Sequence, residues 1–205
     1  MLKTLYYVHD PMCSWCWAFR SSLNILIEKL PQEINTIRLL GGLAPDSDVP
    51  MSENIREYVL ENWRAIEEKV PETKFNYDFW EKCEPRRSTY PACRAIIAAR
   101  KQKKKFDIEM TLAIQKAYYL QAQNPSDYET LINLAEKIGA DKNKFSKDVT
   151  SPETDKILKE EIQQSERLGL KSLPSLLFIN GEKKLVIKPD YLDANGMLEQ
   201  IELFK

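Results

Sequence analysis

Leu5-Tyr6-Tyr7-Val8-His9-Asp10-Pro11-Met12-Cys13-Ser14-Trp15-Cys16 is the stretch on which the fold turns. Its first half is apolar and rich in strand formers, so Leu2 to Val8 is expected to be a buried strand. His9-Asp10-Pro11-Met12 reads as a turn. From Cys13 onward, Trp17, Phe19, Leu23, Ile27 and Leu30 recur at helical spacing until Pro31 stops the pattern. Cys13 therefore falls at a helix N-terminus. Unpaired backbone N–H groups and the helix dipole favour negative charge there, and a thiolate is such a charge. Cys16 lies one turn on, within reach of Cys13 for a disulfide. Two thiols so placed point to thiol–disulfide exchange, in which a thiolate attacks sulfur and a second thiol resolves the mixed disulfide. Half of a zinc site is the competing reading of the same spacing.

Outward from that stretch, Ile34 to Leu40 is a second strand, ended by Gly41-Gly42. Strand, helix, strand leaves room for a parallel crossover. From about Ser52 to Leu168 the strand signal disappears. Helices are expected from Ser52 to about Val70, Tyr90 to Lys104, Asp107 to Gln121, Ser126 to Ile138 and Pro152 to Leu168. Ser126 with Glu129 forms a capping-box pattern, and Gly139 and Gly169 suit helix ends. Strands return at Ser175 to Ile179 and Lys183 to Lys188, joined by an Asn180-Gly181 turn, and Tyr191 to Phe204 closes as a helix. This β-α-β, helical block, ββα order is expected to be an α/β thioredoxin-like domain with an all-helical insertion. Positions 1–45 and 170–205 would form the first unit. Positions 46–169 would form the insertion, with its last helix returning to the core.

The 205 residues are 43% hydrophobic and 30% charged, enough for a sizeable core. A net charge of -1 offers no argument for a nucleic-acid or acidic-membrane partner. No apolar run approaches the roughly 20 residues that span a bilayer. Met1 to Tyr6 hold one basic residue and no export-signal pattern, so a cytoplasmic setting is expected. Four cysteines are too few for a disulfide-dense scaffold.

Leu173-Pro174 stands between Gly169 and the strand at Ser175, where a proline must begin the strand or sit in a turn. X–Pro bonds are the main place for a cis peptide. A cis bond would aim the Leu173 backbone outward, to pair with a bound peptide beside the disulfide. Ser14 and Trp15 would tune access to the pair. Trp15, Trp17 and Tyr90 could build an apolar lip, although Trp17 reads first as core and Trp15 is the better surface candidate.

Asp10-Pro11-Met12-Cys13-Ser14-Trp15-Cys16-Trp17 and Ser165 to Ile179, with Leu173-Pro174 at its centre, resemble the DsbA-type thiol–disulfide oxidoreductases, and the first string is most similar to the FrnE-like branch. The resemblance implies Cys13 attacking, Cys16 resolving and Pro174 cis beside them. Protein or small-thiol substrates, with glutathione or a thioredoxin system as redox partner, are expected. The cysteine pair is itself the redox centre, so neither a metal nor a separate cofactor is called for, with glutathione as a possible co-substrate. Thr89 to Ala95 resembles a segment opening an insertion helix in this family and in kappa-class glutathione transferases; Thr89 would cap that helix and Cys93 would lie near the disulfide. Cys93 reads otherwise as a buried small residue, or as a partner of Cys83. His9 is a candidate proton carrier, or a strand end with its ring in solvent, and Asp10 a candidate modulator of the thiols.

Two alternatives remain at this point. One is a glutathione-dependent transferase or isomerase of the kappa-class/2-hydroxychromene-2-carboxylate isomerase type, whose members typically carry serine where this chain has Cys13. The other is a non-catalytic zinc-binding or adaptor protein. Direction of exchange and oligomeric state are left open.

Overall fold

The computed structural model describes residues 3–204. A four-stranded sheet forms from β1 (Lys3–His9), β2 (Ile34–Leu40), β3 (Ser175–Asn180) and β4 (Lys183–Ile187), in the order β2-β1-β3-β4. Leu2 lies outside the described residues, and β1 runs one residue further than expected, to His9. β1 and β2 are parallel, with Lys3 opposite Ile34 and His9 opposite Leu40. β3 is antiparallel to both β1 and β4. The crossover between β1 and β2 is α1 (Ser14–Lys29), which ends before Pro31 as expected. α9 (Asn195–Leu203) follows β4.

Alternation along the strands sends side chains to two faces. Leu5, Tyr7, Leu176 and Phe178 meet Phe19, Leu23 and Leu26 of α1 and Met197 and Ile201 of α9. Val8, Leu39 and Leu177 point the other way, to Leu170 and Leu173. Both faces of the central strands β1 and β3 are covered, so these two are mostly buried along their length.

Between β2 and β3 run α2 (Glu53–Lys69), α3 (Phe79–Lys82), α4 (Tyr90–Gln102), α5 (Phe106–Gln121), α6 (Tyr128–Lys137), α7 (Lys142–Val149) and α8 (Pro152–Arg167). α4 is buried along most of its length, from Pro91 to Ala99, and forms the axis of a helical core with α5, α7 and α8. α8 also packs on β2, tying this block to the sheet. A second, aromatic core gathers around Trp63 of α2 and reaches Trp17 of α1.

Two caps differ from expectation. α6 begins after Asp127, and Ser126 donates its hydroxyl to the Ser88 carbonyl at 2.8 Å, so the capping box with Glu129 does not form. Thr89 precedes α4 but makes no side-chain cap bond, because its hydroxyl accepts from the Ala44 amide and donates to Asp10. Ser151 does cap α8, accepting from the Thr154 amide at 3.2 Å, with Pro152 in the first turn.

Candidate active site

Cys13 is the N-cap residue of α1, with extended φ/ψ of -79° and 114° and no side-chain cap bond. The Asp10 carbonyl accepts the Cys13 amide at 3.1 Å, closing the turn that sequence placed there. The Cys13 thiol therefore meets the first turn of the helix, and it donates to the Leu173 carbonyl at 3.6 Å. The Leu173–Pro174 bond is cis. Cys16, one turn into α1, is 1% exposed. Burial pushes its thiol well up, and so does the Cys13 sulfur beside it; the Asp10 amide opposes both. Cys13, Cys16, Cys83 and Cys93 are unbridged in this structure, and among the described residues no group of His, Cys, Asp and Glu is arranged to hold a metal ion.

A cleft of about 920 Å³ opens over Cys13. Ser14, Trp15 and Leu173 line it, together with the Gly41-Gly42-Leu43 loop after β2 and the outer face of α2 at Tyr58 and Asn62. Pro174 is buried behind this lining, as is Cys16. Gly42 has a φ of +58°, and a Cβ there would meet Ile162 and Tyr90. Tyr90 packs at that spot and does not line the cleft. Trp15 donates its indole N–H to Asn62 Oδ1 at 3.1 Å and meets Tyr191 edge-on at 5.1 Å between ring centres. Trp17 is core: it stacks on Tyr119 and donates to the Lys74 carbonyl.

Asp10 is a hub rather than only a turn residue. Its side chain is fully buried and accepts from four donors: the Met12 amide at 2.8 Å, the Leu43 amide at 2.7 Å, the Thr89 hydroxyl at 2.6 Å and the Cys93 thiol at 3.4 Å. Burial pushes its carboxyl up, and those hydrogen bonds pull against it. Burial and the Asp10 charge keep the Cys93 thiol protonated, as a donor. One carboxylate thus joins the Cys13 turn, the loop after β2 and the start of α4. Cys83 is elsewhere, donating to the Ala122 carbonyl at 3.2 Å, so it does not pair with Cys93.

His9 does not end the strand in solvent. It is 1% exposed, stacked on Tyr7 at 4.9 Å, with Nε2 3.1 Å from the Arg38 guanidinium. An arginine can only donate, so Nε2 accepts and the proton of the neutral ring sits on Nδ1. Arg38 continues to Asp107, Asp107 to Arg100, and Arg100 to Glu161. Burial pushes the His9 ring well below the usual histidine range, and Arg38 and Arg100 push it further. A neutral ring between two guanidiniums is a poor proton carrier at neutral pH. The unfolded chain takes up a proton below about pH 6.5 while the folded chain does not. Stability is therefore undiminished above that pH and falls as pH drops, by about 1.4 kcal/mol per unit from this group. Thermal unfolding followed between pH 6.5 and 5 should lose more stability with falling pH in the native chain than in His9→Gln. An equal slope in both proteins contradicts the assignment.

Several site residues were not singled out from sequence: Tyr7, whose phenol lies beside the cysteine pair, Tyr191, Asn62, Arg87 and Lys171. Tyr7 carried a usable signal, since strand alternation puts it on the α1 face. The others depend on segments brought from far along the chain.

A family model described as thioredoxin matches residues 6–188. The ClpXP adapter protein SpxH of Bacillus subtilis (strain 168) is 25% identical over 177 residues, covering 86% of this chain and 58% of that protein. The chain thus spans about 58% of the length of that curated relative. Among solved structures, a Nitrosomonas europaea protein provisionally described as a protein disulfide isomerase superposes with a TM-score of 0.84 at 22% identity, covering 100% of this chain and 98% of that one. The cytosolic disulfide reductase DsbM from Pseudomonas aeruginosa superposes with a TM-score of 0.77 at 20% identity, covering 98% and 100%. A DsbM structure with GSH gives 0.74 at 19% identity, covering 98% and 99%. These likenesses carry the fold: a DsbA-like thioredoxin sheet with a helical insertion.

Proposed function

This chain belongs to the thioredoxin family, and we propose that it is a thiol–disulfide oxidoreductase with Cys13 as nucleophile and Cys16 as resolving thiol. One observation carries the reading. The Cys13 thiol stands at the α1 N-terminus on the floor of an open cleft, against the Leu173 carbonyl, with Cys16 buried one turn behind.

In the reducing direction, the Cys13 thiolate attacks one sulfur of a substrate disulfide. A Cys13–substrate bond forms, the substrate S–S bond breaks, and the first thiolate leaves and takes a proton from solvent. Cys16 then gives up its proton and attacks Cys13 Sγ. The mixed disulfide breaks, the second substrate thiolate leaves, and the Cys13–Cys16 bond closes. Two electrons pass from protein to substrate, and oxidation of a dithiol is the reverse. Ser14, Trp15 and Leu173 border the sulfur where the substrate must lie. No further cofactor enters the balance. Burial holds the Cys16 thiol above the usual cysteine range, which lowers the thiolate fraction able to resolve the mixed disulfide.

Protein disulfides and small thiols are both candidate substrates. The DsbM neighbour, described as cytosolic and with GSH, supports glutathione as a small-thiol partner and a cytoplasmic setting. Among the described residues no helix is long and apolar enough to cross a membrane.

Cys16→Ser is expected to trap the intermediate. Incubated with glutathione disulfide, it should accumulate one glutathionyl group per chain, on Cys13, by intact-mass and peptide mapping. Cys13→Ser/Cys16→Ser should accumulate none in the cleft. Absence of the adduct in Cys16→Ser defeats the two-thiol mechanism.

The name of the curated relative favours a second reading, a proteolysis adapter that uses this fold for binding. Binding to ClpX that survives loss of both cysteines, in a chain without exchange activity, supports that reading over the first.

A further inference from the structure

The cleft over Cys13 carries an uneven charge. Arg87, Arg167 and Lys171 line it, and none has a hydrogen-bond or ion-pair partner among the described residues. Arg86 lines it too, but is held by Asp127 Oδ1 at 2.5 Å and the Ser126 carbonyl at 2.9 Å. Glu166 is the one acidic side chain in the lining. This local excess of positive charge stands in a chain whose net charge is -1, so it is not a reflection of overall composition.

Arg87 and Lys171 stand out among these cations. Arg87 is half-buried, and it is the cation opposing the burial that pushes up Tyr118, a ring that also lines the cleft. Its charge therefore acts inside the cavity. Lys171 lies two residues before Leu173, whose carbonyl accepts the Cys13 thiol. The same lining includes the apolar Leu43, Met51, Val59 and Ile162. Low-dielectric walls focus the field of unpaired cations. A guanidinium without a partner is matched best by a planar carboxylate. The volume of the cleft, about 920 Å³, suits a small molecule of a few residues.

We infer that Arg87 and Lys171 are specificity-determining residues that recognise small disulfides carrying carboxylates. This rests on the exchange reading above and narrows its substrate class. The reaction stays balanced: the reduced cysteine pair becomes a disulfide as the bound disulfide becomes two thiols.

Pre-reduced protein, in single turnover, should be compared on glutathione disulfide, which carries carboxylates, and hydroxyethyl disulfide, which carries none. The quantity of interest is the ratio of the two second-order rate constants. It should favour glutathione disulfide in the native chain and shrink as salt rises. In Arg87→Glu/Lys171→Glu the ratio should fall roughly tenfold or more, the scale of one lost charge-assisted contact. Neither side chain has a partner to lose, so the melting temperature should hold. A ratio unchanged by the double substitution overturns the inference. Binding of S-methylglutathione, which has no exchangeable sulfur, tests the subsite without turnover. It should weaken by a similar factor in the double variant, and equal affinity for both proteins overturns the inference. Weakened binding in a chain that exchanges neither disulfide supports the subsite and defeats the exchange reading instead.

Discussion

Cys13→Ser is expected to lose disulfide reductase turnover by about 10³-fold or more, the scale seen when an enzyme loses its nucleophile. The substitution exchanges one atom and leaves the scaffold intact. Cys13 is an N-cap without a cap bond, and serine is among the best N-cap residues, so its hydroxyl can accept an α1 amide that the thiol leaves free. Folding stability should therefore hold or rise slightly while activity disappears. That split separates chemistry from architecture. It is read by insulin reduction or single-turnover exchange alongside thermal unfolding. Activity within a few-fold of the native chain would assign the nucleophile elsewhere.

The largest stability effect is expected at Trp63. It is 0% exposed, stacks on Phe75 with 4.6 Å between ring centres, and meets Tyr77, Tyr118 and Tyr119 edge-on. Phe79 and Trp80 complete the surround. Trp63→Ala removes the ring that these neighbours share and leaves a cavity that rigid aromatics cannot collapse into. A loss of about 3–5 kcal/mol follows for such a truncation. For a chain of this size that lowers the melting temperature by roughly 6–20 °C. Trp63→Phe should cost much less, since it keeps most of the buried surface and removes an indole N–H that has no partner. The damage should also reach the site. Tyr118 lines the cleft and Tyr119 stacks on Trp17 of α1, so loosening this cluster frees one wall and the helix that carries Cys13. A drop of under about 1 kcal/mol in Trp63→Ala would mean that the aromatic cluster is not a core.

What could be read from the chain follows how local each determinant is. β1, α1 and β2 were legible because strand-former runs, helical spacing and Pro31 act over a few residues, and β2 spans Ile34–Leu40 as expected. The long α4, α5 and α8 announced themselves by period, and α8 also by Pro152 at its start and Gly169 at its end. α3, four residues long, has no period to detect. α7 holds only Phe145 and Val149 as buried anchors, and its one clear mark is Asp141 accepting from the Lys144 amide. Ser126 and Thr89 had the right chemistry for caps, but their hydroxyls go to Ser88 and Asp10, 38 and 79 residues distant. Sequence spacing cannot see such partners. His9 misled for the same reason: α4 and α5 bring Arg100 and Asp107 to the charge network around it.

The site divides along the same line. Cys13, Cys16 and the Leu173–Pro174 step are a short motif and an unusual dipeptide, each visible by itself, and the fold brings the Leu173 carbonyl to the Cys13 thiol. The opposite wall of the cleft belongs to α2, the 86–89 segment and the end of α8. Those residues become a wall only once the helical block has packed.

The most direct test of the account is a redox titration of the native chain in glutathione buffers, quenched by alkylation and read by peptide mass. Cys13 and Cys16 should lose their alkyl labels together and become linked to each other, as one two-electron couple with a tenfold change in ratio per about 30 mV, while Cys83 and Cys93 stay labelled. Independent oxidation of Cys13 and Cys16, or no bond between them at any buffer potential, would contradict it.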